Sequence, residues 1–247
     1  MAIVTRNEAA SVSGCLDSVS WAEEVVVLDC GSSDGTQEIC RARGALVIEH
    51  PWEGYSAQKN LAIGKTRHPW VLSLDADERV TEGLLGQIRR VLEEDGPADG
   101  YRIPRRNIFF GRWLRHGELW PDHQIRLFRR ERSRFNDKPV HESVEVSGKV
   151  AELSEPLDHL SYGTLSDFFD RQVRYAALAA GELDRAGASP RIADFLLRPL
   201  WRFLKGYLLK SGWRDGPEGF IAAAGSAFYV FMRAAFLWEL RRKRESA

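Results

Sequence analysis

The stretch Trp70-Val71-Leu72-Ser73-Leu74-Asp75-Ala76-Asp77-Glu78 constrains this chain more than any other. An apolar run without alternation is the pattern of a strand buried on both faces, as in a parallel α/β sheet. Such a strand delivers its last residues to the carboxyl edge of the sheet, where ligands of open α/β sheets bind. Asp75 and Asp77 are two apart, so in extended chain they share one side. Two carboxylates placed that way repel each other unless a cation lies between them, and hard oxygen donors suit Mg²⁺ or Mn²⁺. The same acids also suit the start of a helix expected from Thr81, where they would cap it and match its dipole. Both readings stand on these residues alone.

The residues upstream repeat the strand-to-acid pattern. Ala2-Ile3-Val4-Thr5 predicts a short buried strand, clipped at its start, with Asn7 and Glu8 at its end and a helix over 9–19. Glu24 to Asp29 predicts a second strand that again ends in an acid. The loop Cys30-Gly31-Ser32-Ser33-Asp34-Gly35-Thr36 is built of small turn formers and leads into a helix to about Arg43. It matches neither a P-loop nor G-x-G-x-x-G. Asp29 and Asp34 can hydrogen-bond a ribose or base there, or simply shape a tight connection. A third strand over 45–49 precedes a helix that carries Gln58, Lys59 and Asn60 on its first turns and runs to about Lys65. Another helix is expected over 81–94. Repeated strand–helix units with short loops predict an α/β fold with a mostly parallel central sheet.

Charge divides the chain. Residues 1–100 carry 9 Lys/Arg against 17 Asp/Glu, and residues 101–247 carry 26 against 18, so a net of −8 is followed by a net of +8. A basic back half faces something anionic, or is an ordinary sign-mixed surface. Cys15, Cys30 and Cys40 lack C-x-x-C spacing, so buried thiols in a reducing cytosol are expected rather than disulfides or zinc. The N-terminal residues lack a signal-peptide pattern, and no run of 18 uncharged apolar residues occurs, which argues against a simple transmembrane span.

Four motifs come in a telling order: Val4-Thr5-Arg6-Asn7-Glu8, Val27 to Thr36, Gly54-Tyr55 with Gln58-Lys59-Asn60, and Leu74-Asp75-Ala76-Asp77-Glu78. Together they resemble family 2 glycosyltransferases, most closely the bacterial subgroup that includes lipopolysaccharide-core β-glucosyltransferases. The resemblance covers about residues 1–150. It implies a GT-A nucleotide-diphospho-sugar transferase fold that uses a divalent metal, Mg²⁺ or Mn²⁺. It also implies that Asp29 and Asp34 hold the nucleoside, that Lys59 and Asn60 lie near the donor, and that Thr5, Asn7, Glu8, Asp75 and Ala76 complete the nucleotide-sugar site. Asp77 would be the main metal contact. In the subgroup a W-x-D…R-L-F…H-E order recurs, matched here by Trp120, Asp122, Arg126-Leu127-Phe128 and His141-Glu142. That makes Glu142 or Asp122 the general base, with preference for Glu142, and His141 a further metal ligand beside Asp75 and Asp77. Arg126 or Arg129 can assist the departing diphosphate. The implied reaction is an inverting transfer from a nucleotide-diphosphate sugar, with UDP-hexose expected, to a glycan or lipid-linked acceptor of the cell envelope.

The expected organisation is a catalytic domain over 1–160, with a nucleotide-sugar half (1–100) and an acceptor half (101–160), followed by a helical extension over 161–247. Helices are expected over 165–183, 190–210 and 217–244. Residues 195–247 carry 10 Lys/Arg against 4 Asp/Glu with Trp, Phe and Leu interleaved. That suits an amphipathic helix pair on anionic lipid, or a hairpin packed on the catalytic domain or on a second subunit. The expected setting is cytoplasmic, peripheral to the inner face of the cytoplasmic membrane, with a homo-oligomer possible and no nucleic-acid partner. Two competing functions remain. A haloacid-dehalogenase-type phosphohydrolase also uses a strand-end D-x-D, but Arg79 stands where that pattern wants Thr or Val. A non-catalytic membrane scaffold with the same fold is the other.

Overall fold

The computed structural model describes residues 1–136 and 142–245. In chain order come β1 (Ala2–Thr5), α1 (Ala9–Ser18), β2 (Val26–Asp29), α2 (Thr36–Ala42), β3 (Leu46–Glu49), α3 (Tyr55–Gly64) and β4 (Trp70–Asp75). Then follow β5 (Glu78–Val80), α4 (Glu82–Glu93), β6 (Gly100–Phe109), β7 (Arg112–Trp113), β8 (Asp122–Arg129), β9 (Ser133–Phe135), β10 (Val144–Val146), β11 (Val150–Glu152) and β12 (Leu157–Tyr162). The chain closes with α5 (Leu165–Arg185), α6 (Ile192–Phe195), α7 (Leu197–Leu204) and α8 (Gly216–Glu245).

β3, β2, β1 and β4 are parallel neighbours in that order, and the sheet continues through β8, β6, β12 and β5. β8 runs antiparallel to both β4 and β6. The strand order reverses direction at β1–β4, which is the switch point where such sheets open a crevice. Register brings the acid-bearing ends level there: Thr5 lies opposite Asp29 and Val4 opposite Asp75.

The strands are short and apolar because both faces are covered. Ile3, Val27, Leu72, Leu74, Leu84, Ile88 and Leu157 form one core. Leu28, Val71, Phe128, Ala62 and Ile63 form a second, across the sheet. Successive residues of β2 (Val27, Leu28) and β4 (Val71, Leu72) therefore serve opposite cores, which removes the alternation a half-exposed strand would show. Phe128 has no exposed surface. Phe128→Ala is expected to destabilise the protein by about 3–5 kcal/mol, read as a lower urea midpoint, because the cavity adds to the lost transfer energy. Cys15, Cys30 and Cys40 are buried free thiols, and burial pushes Cys30 and Cys40 up to about 11.

The expected strands and the helices α1 to α4 are all present, with boundaries shifted by a residue or two. One local reading is corrected. The acids at 75–77 do not cap α4; that helix is capped by Thr81, whose side chain accepts from the Leu84 N–H at 3.2 Å, and β5 intervenes. The helix expected over 190–210 is instead broken into α6, α7 and a wider turn over 205–209.

Residues Met1–Arg106 and Asp122–His159 form one compact unit, and Asn107–Pro121 with Leu160–Ala247 form the other. Residues 107–121 thus belong with the helices, although the sequence groups them with the acceptor half. In the second unit α5 lies along α8, with Phe169 against Phe228 and the buried Asp184 carboxylate between Arg241 (3.2 Å) and Arg244 (2.6 Å). By length and composition α8 is apolar enough to cross a membrane. Its Ala222, Ala223, Ala234 and Leu237 are buried.

Candidate active site

The crevice at the switch point is walled by loops that hydrogen-bond one another. Asp29, fully buried, accepts hydrogen bonds from the Thr5 hydroxyl (2.8 Å), the Ser32 N–H (2.8 Å) and hydroxyl (2.6 Å), and the Gln37 amide (2.8 Å). Asn7, in the left-handed region at φ 56°, accepts from the Ser33 N–H at 2.9 Å and donates its own N–H to Ser32 at 2.8 Å. Asp34 accepts from the Ala9 N–H at 3.0 Å and from Thr36, whose hydroxyl in turn accepts from the Glu8 N–H at 2.8 Å. Gly35 caps α2 at φ 88°, a backbone state that a Cβ would strain. Asp29 and Asp34 therefore shape a rigid rim. Asn60 likewise bonds the backbone of Phe135 twice, at 2.8 and 2.9 Å, and so ties α3 to β9.

Behind the rim lies a chain of alternating charges. Lys59 Nζ, nearly buried, stands 3.0 Å from Asp75 Oδ1 and 3.0 Å from Glu142 Oε1. Arg126 Nη2 lies 2.5 Å from Asp75 Oδ2 and 2.5 Å from Glu78 Oε1. Glu78 is wholly buried, and its other oxygen accepts from the Asp75 N–H at 3.0 Å. Arg105 reaches Glu78 at 3.5 Å and grips Asp122 Oδ2 with two nitrogens at 2.9 and 2.6 Å. Gln124 donates to the remaining Asp122 oxygen at 2.8 Å. Arg129 is not part of this chain: it stacks over Trp70 at 4.6 Å and pairs with Asp95.

Burial by itself would raise the Asp75 carboxyl, but Arg126 and then Lys59 outweigh it and hold the group well below the ordinary carboxylate value. Burial pulls the Lys59 ammonium down, while Asp75 and Glu142 push it up by more. A carboxyl depressed in the folded state stabilises the fold above its unfolded value, and that stability is lost as pH falls through the folded value. Urea midpoints are therefore expected to decline from about pH 5 downward, and less steeply in Asp75→Asn than in the parent. A parallel decline in both proteins would contradict this assignment.

Asp77 occupies a different position. Its Oδ2 lies 3.4 Å from His159 Nε2, because β12 pairs antiparallel with β5 and sets His159 opposite Glu78. The backbone between the two acids is braced by Arg79, which donates to the Ala76 carbonyl at 3.1 Å and to the Ser11 carbonyl of α1 at 2.5 Å. Ala76 itself is buried in the core. Among the described residues no group of three or more His, Cys, Asp and Glu side chains converges to hold a metal. Asp77 and His159 nonetheless fit a divalent ion that takes its other ligands from water and a diphosphate, as Mg²⁺ and Mn²⁺ sites on nucleotides do. Asp75 suits that role less, since both of its oxygens already face cations. His141 lies outside the described residues.

Sequence reading does not single out Glu78, Arg105 or His159. Glu78 is directly adjacent to the D-x-D and is the one of the three with a local signal. The other two are delivered by strand pairing alone. A cavity of about 600 Å³, lined by Asp17, Glu23, Arg43, Leu46 and Arg67 among others, lies toward the amino ends of β2, β3 and β4. It is at the wrong edge of the sheet for the carboxylates described above.

An α/β sheet with acids at its switch point and a D-x-D turn beside it is the arrangement of a GT-A sugar-transferase fold, and the family match assigns it. Residues 1–147 match the family model for glycosyl transferase family 2, and the chain belongs to that family. It is 28% identical to the lipopolysaccharide core biosynthesis glycosyltransferase LpsC of Rhizobium meliloti (strain 1021), over 96% of this chain and 90% of that protein. It is 27% identical to the uncharacterized glycosyltransferase RP128 of Rickettsia prowazekii (strain Madrid E), over 99% of this chain and 88% of that one. Among solved structures, the mannosyltransferase PcManGT of Pyrobaculum calidifontis, in complex with GDP-Man and Mn²⁺, superposes with a TM-score of 0.50. That match covers 97% of this chain and 74% of the other at 16% identity, and it speaks to the fold alone. The protein is a glycosyltransferase, and the phosphohydrolase reading is set aside.

Proposed function

We propose that the protein transfers a hexose from a nucleotide-diphosphate donor, UDP-hexose by its family resemblance, to a lipid-linked or core glycan of the cell envelope, with inversion. The observation that carries this reading is Lys59, whose single ammonium joins Asp75 of the D-x-D to Glu142 at 3.0 Å each. It ties the donor end of the crevice to a carboxylate able to serve an acceptor. The likeness to LpsC, whose name assigns it to lipopolysaccharide core biosynthesis, supports an envelope acceptor. Such an acceptor places the enzyme at the inner face of the cytoplasmic membrane, with the first compact unit catalytic.

In the proposed reaction Glu142 takes the proton of the acceptor hydroxyl as its oxygen attacks the anomeric carbon. The bond from that carbon to the diphosphate oxygen breaks on the opposite face. Thr5 at the end of β1 and Asn7 and Glu8 after it, with Asp29 and the Asp34 loop hydrogen-bonded beside them, form the nucleoside wall. Arg126 and Lys59 keep Asp75 ionised and fixed, so the turn carrying Asp77 is organised before the donor enters. Asp77 and His159 would hold a divalent ion, which would supply positive charge against the departing diphosphate. Asp122 suits the role of base less well, because Arg105 and Gln124 occupy both of its oxygens.

Calorimetric titration of UDP and of GDP, with Mn²⁺ or with EDTA, tests this reading. Metal-dependent binding of UDP in preference to GDP is the expected result. Binding of neither nucleotide under any metal condition would overturn the reading in favour of a non-catalytic scaffold.

A further inference from the structure

The second unit carries a surface that the transferase chemistry does not use. Leu196, Leu197, Leu200, Trp201, Leu208 and Leu209 are each more than half exposed, Leu197 at 65% and Trp201 at 58%. On α7 and the wider turn after it, positions 197, 200, 201, 204 and 208 fall on one helical face. The opposite side is firmly held. Arg202 and Lys205 pair with Glu118 at 2.9 and 2.7 Å, and the rings of Phe203 and Tyr207 each meet Phe220 at 5.5 Å. The inner contacts fix the helix, so the apolar face is presented outward by construction.

The border of this face is basic. Residues 191–214 contain 6 Lys/Arg and 1 Asp/Glu; Arg202 and Lys205 are turned to Glu118 and Arg198 pairs with Asp194 at 2.7 Å, which leaves the segment net positive. Arg191, Arg198, Lys210 and Arg214 are exposed around it, and Trp213, 56% exposed, lies beyond its far end. An apolar stripe rimmed by cations matches a surface that is anionic outside and hydrocarbon just beneath. Trp201 and Trp213 bring rings suited to that boundary, with an apolar body and a polar N–H. We propose that this face, formed by residues 196–209 and flanked by Trp213, seats the protein on a leaflet of anionic phospholipid, lying in the interface while α8 stays packed on α5. This surface is separate from the donor-site residues, so failure of the proposal would leave the transferase reading intact.

Co-sedimentation of the full chain with phosphatidylcholine vesicles, with and without phosphatidylglycerol, tests the proposal. Partitioning is expected to be at least about tenfold stronger with phosphatidylglycerol and to weaken at high salt. The triple variant Leu197→Glu/Trp201→Glu/Leu208→Glu should lose at least about tenfold in partitioning, with its circular dichroism and nucleotide binding unchanged. Arg198→Glu/Lys210→Glu, which leaves the apolar face intact and guards against a misfolded triple variant, should lose the preference for phosphatidylglycerol. Equal binding by parent and variants would overturn the proposal, as would no binding to either vesicle. So would a parent dimer that the triple variant converts to monomer, which would make the occupant a second copy. Resistance to alkaline carbonate extraction would assign α8 as a span instead.

Discussion

Asp77→Asn is expected to abolish Mn²⁺-dependent nucleotide binding and to lower kcat/KM for transfer by roughly 10²- to 10³-fold. A bound divalent ion supplies several kcal/mol of charge stabilisation in the transition state, and each 1.36 kcal/mol is about tenfold in rate. The substitution keeps the side-chain volume and removes only the charge, and Arg79 continues to brace the turn through backbone carbonyls. Folding should therefore survive, which a urea melt checks. His159→Ala should act more mildly, raising the Mn²⁺ concentration needed while leaving metal-saturated kcat nearly intact. An Asp77→Asn protein that binds UDP with undiminished metal dependence would move the metal site to other residues.

Glu142→Gln is expected to lower kcat by about 10²- to 10⁴-fold, the range that a positioned general base supplies, with nucleotide affinity changed little. Asp122→Asn should cost far less. Asp122 accepts two bonds from Arg105 and one from Gln124, so its place in the structure is that of an anchor between β6 and β8. Steady-state kinetics of the two variants on the same donor and acceptor separate the roles. The reverse order, with Asp122→Asn the deeper loss, would make Asp122 the base. Equal modest losses would assign both carboxylates to holding Lys59 and Arg105.

Much of this site is legible in local sequence, and particular residues show where legibility stops. Asp29, Asp75 and Asp77 each end or follow an apolar run, and burial on both faces of a parallel sheet is written into such runs. The two readings of the acids at 75–77 were equal at that level. Thr81 decides against the helix cap, because it caps α4 with β5 lying between. The charge asymmetry also acquires a partial explanation. Arg105 and Arg126, from the basic part of the chain, neutralise Glu78 and Asp75 from the acidic part, so some of the expected anionic partner is the protein itself.

What the sequence alone determined is the parallel α/β core, the order of its motifs and the acids at the carboxyl edge. These follow from periodicity and turn chemistry within windows of ten or so residues. Only the tertiary structure decided which charges meet. Lys59 comes from α3, Arg126 from β8, Arg105 from β6 and His159 from β12, and each is aimed by a long-range strand or helix contact. Antiparallel pairing of β12 with β5 places His159 beside Asp77, and nothing near either residue in the chain encodes that meeting. The physical reason is that local pattern sets which face of an element is buried, whereas the partner it is buried against is chosen by packing of the whole core.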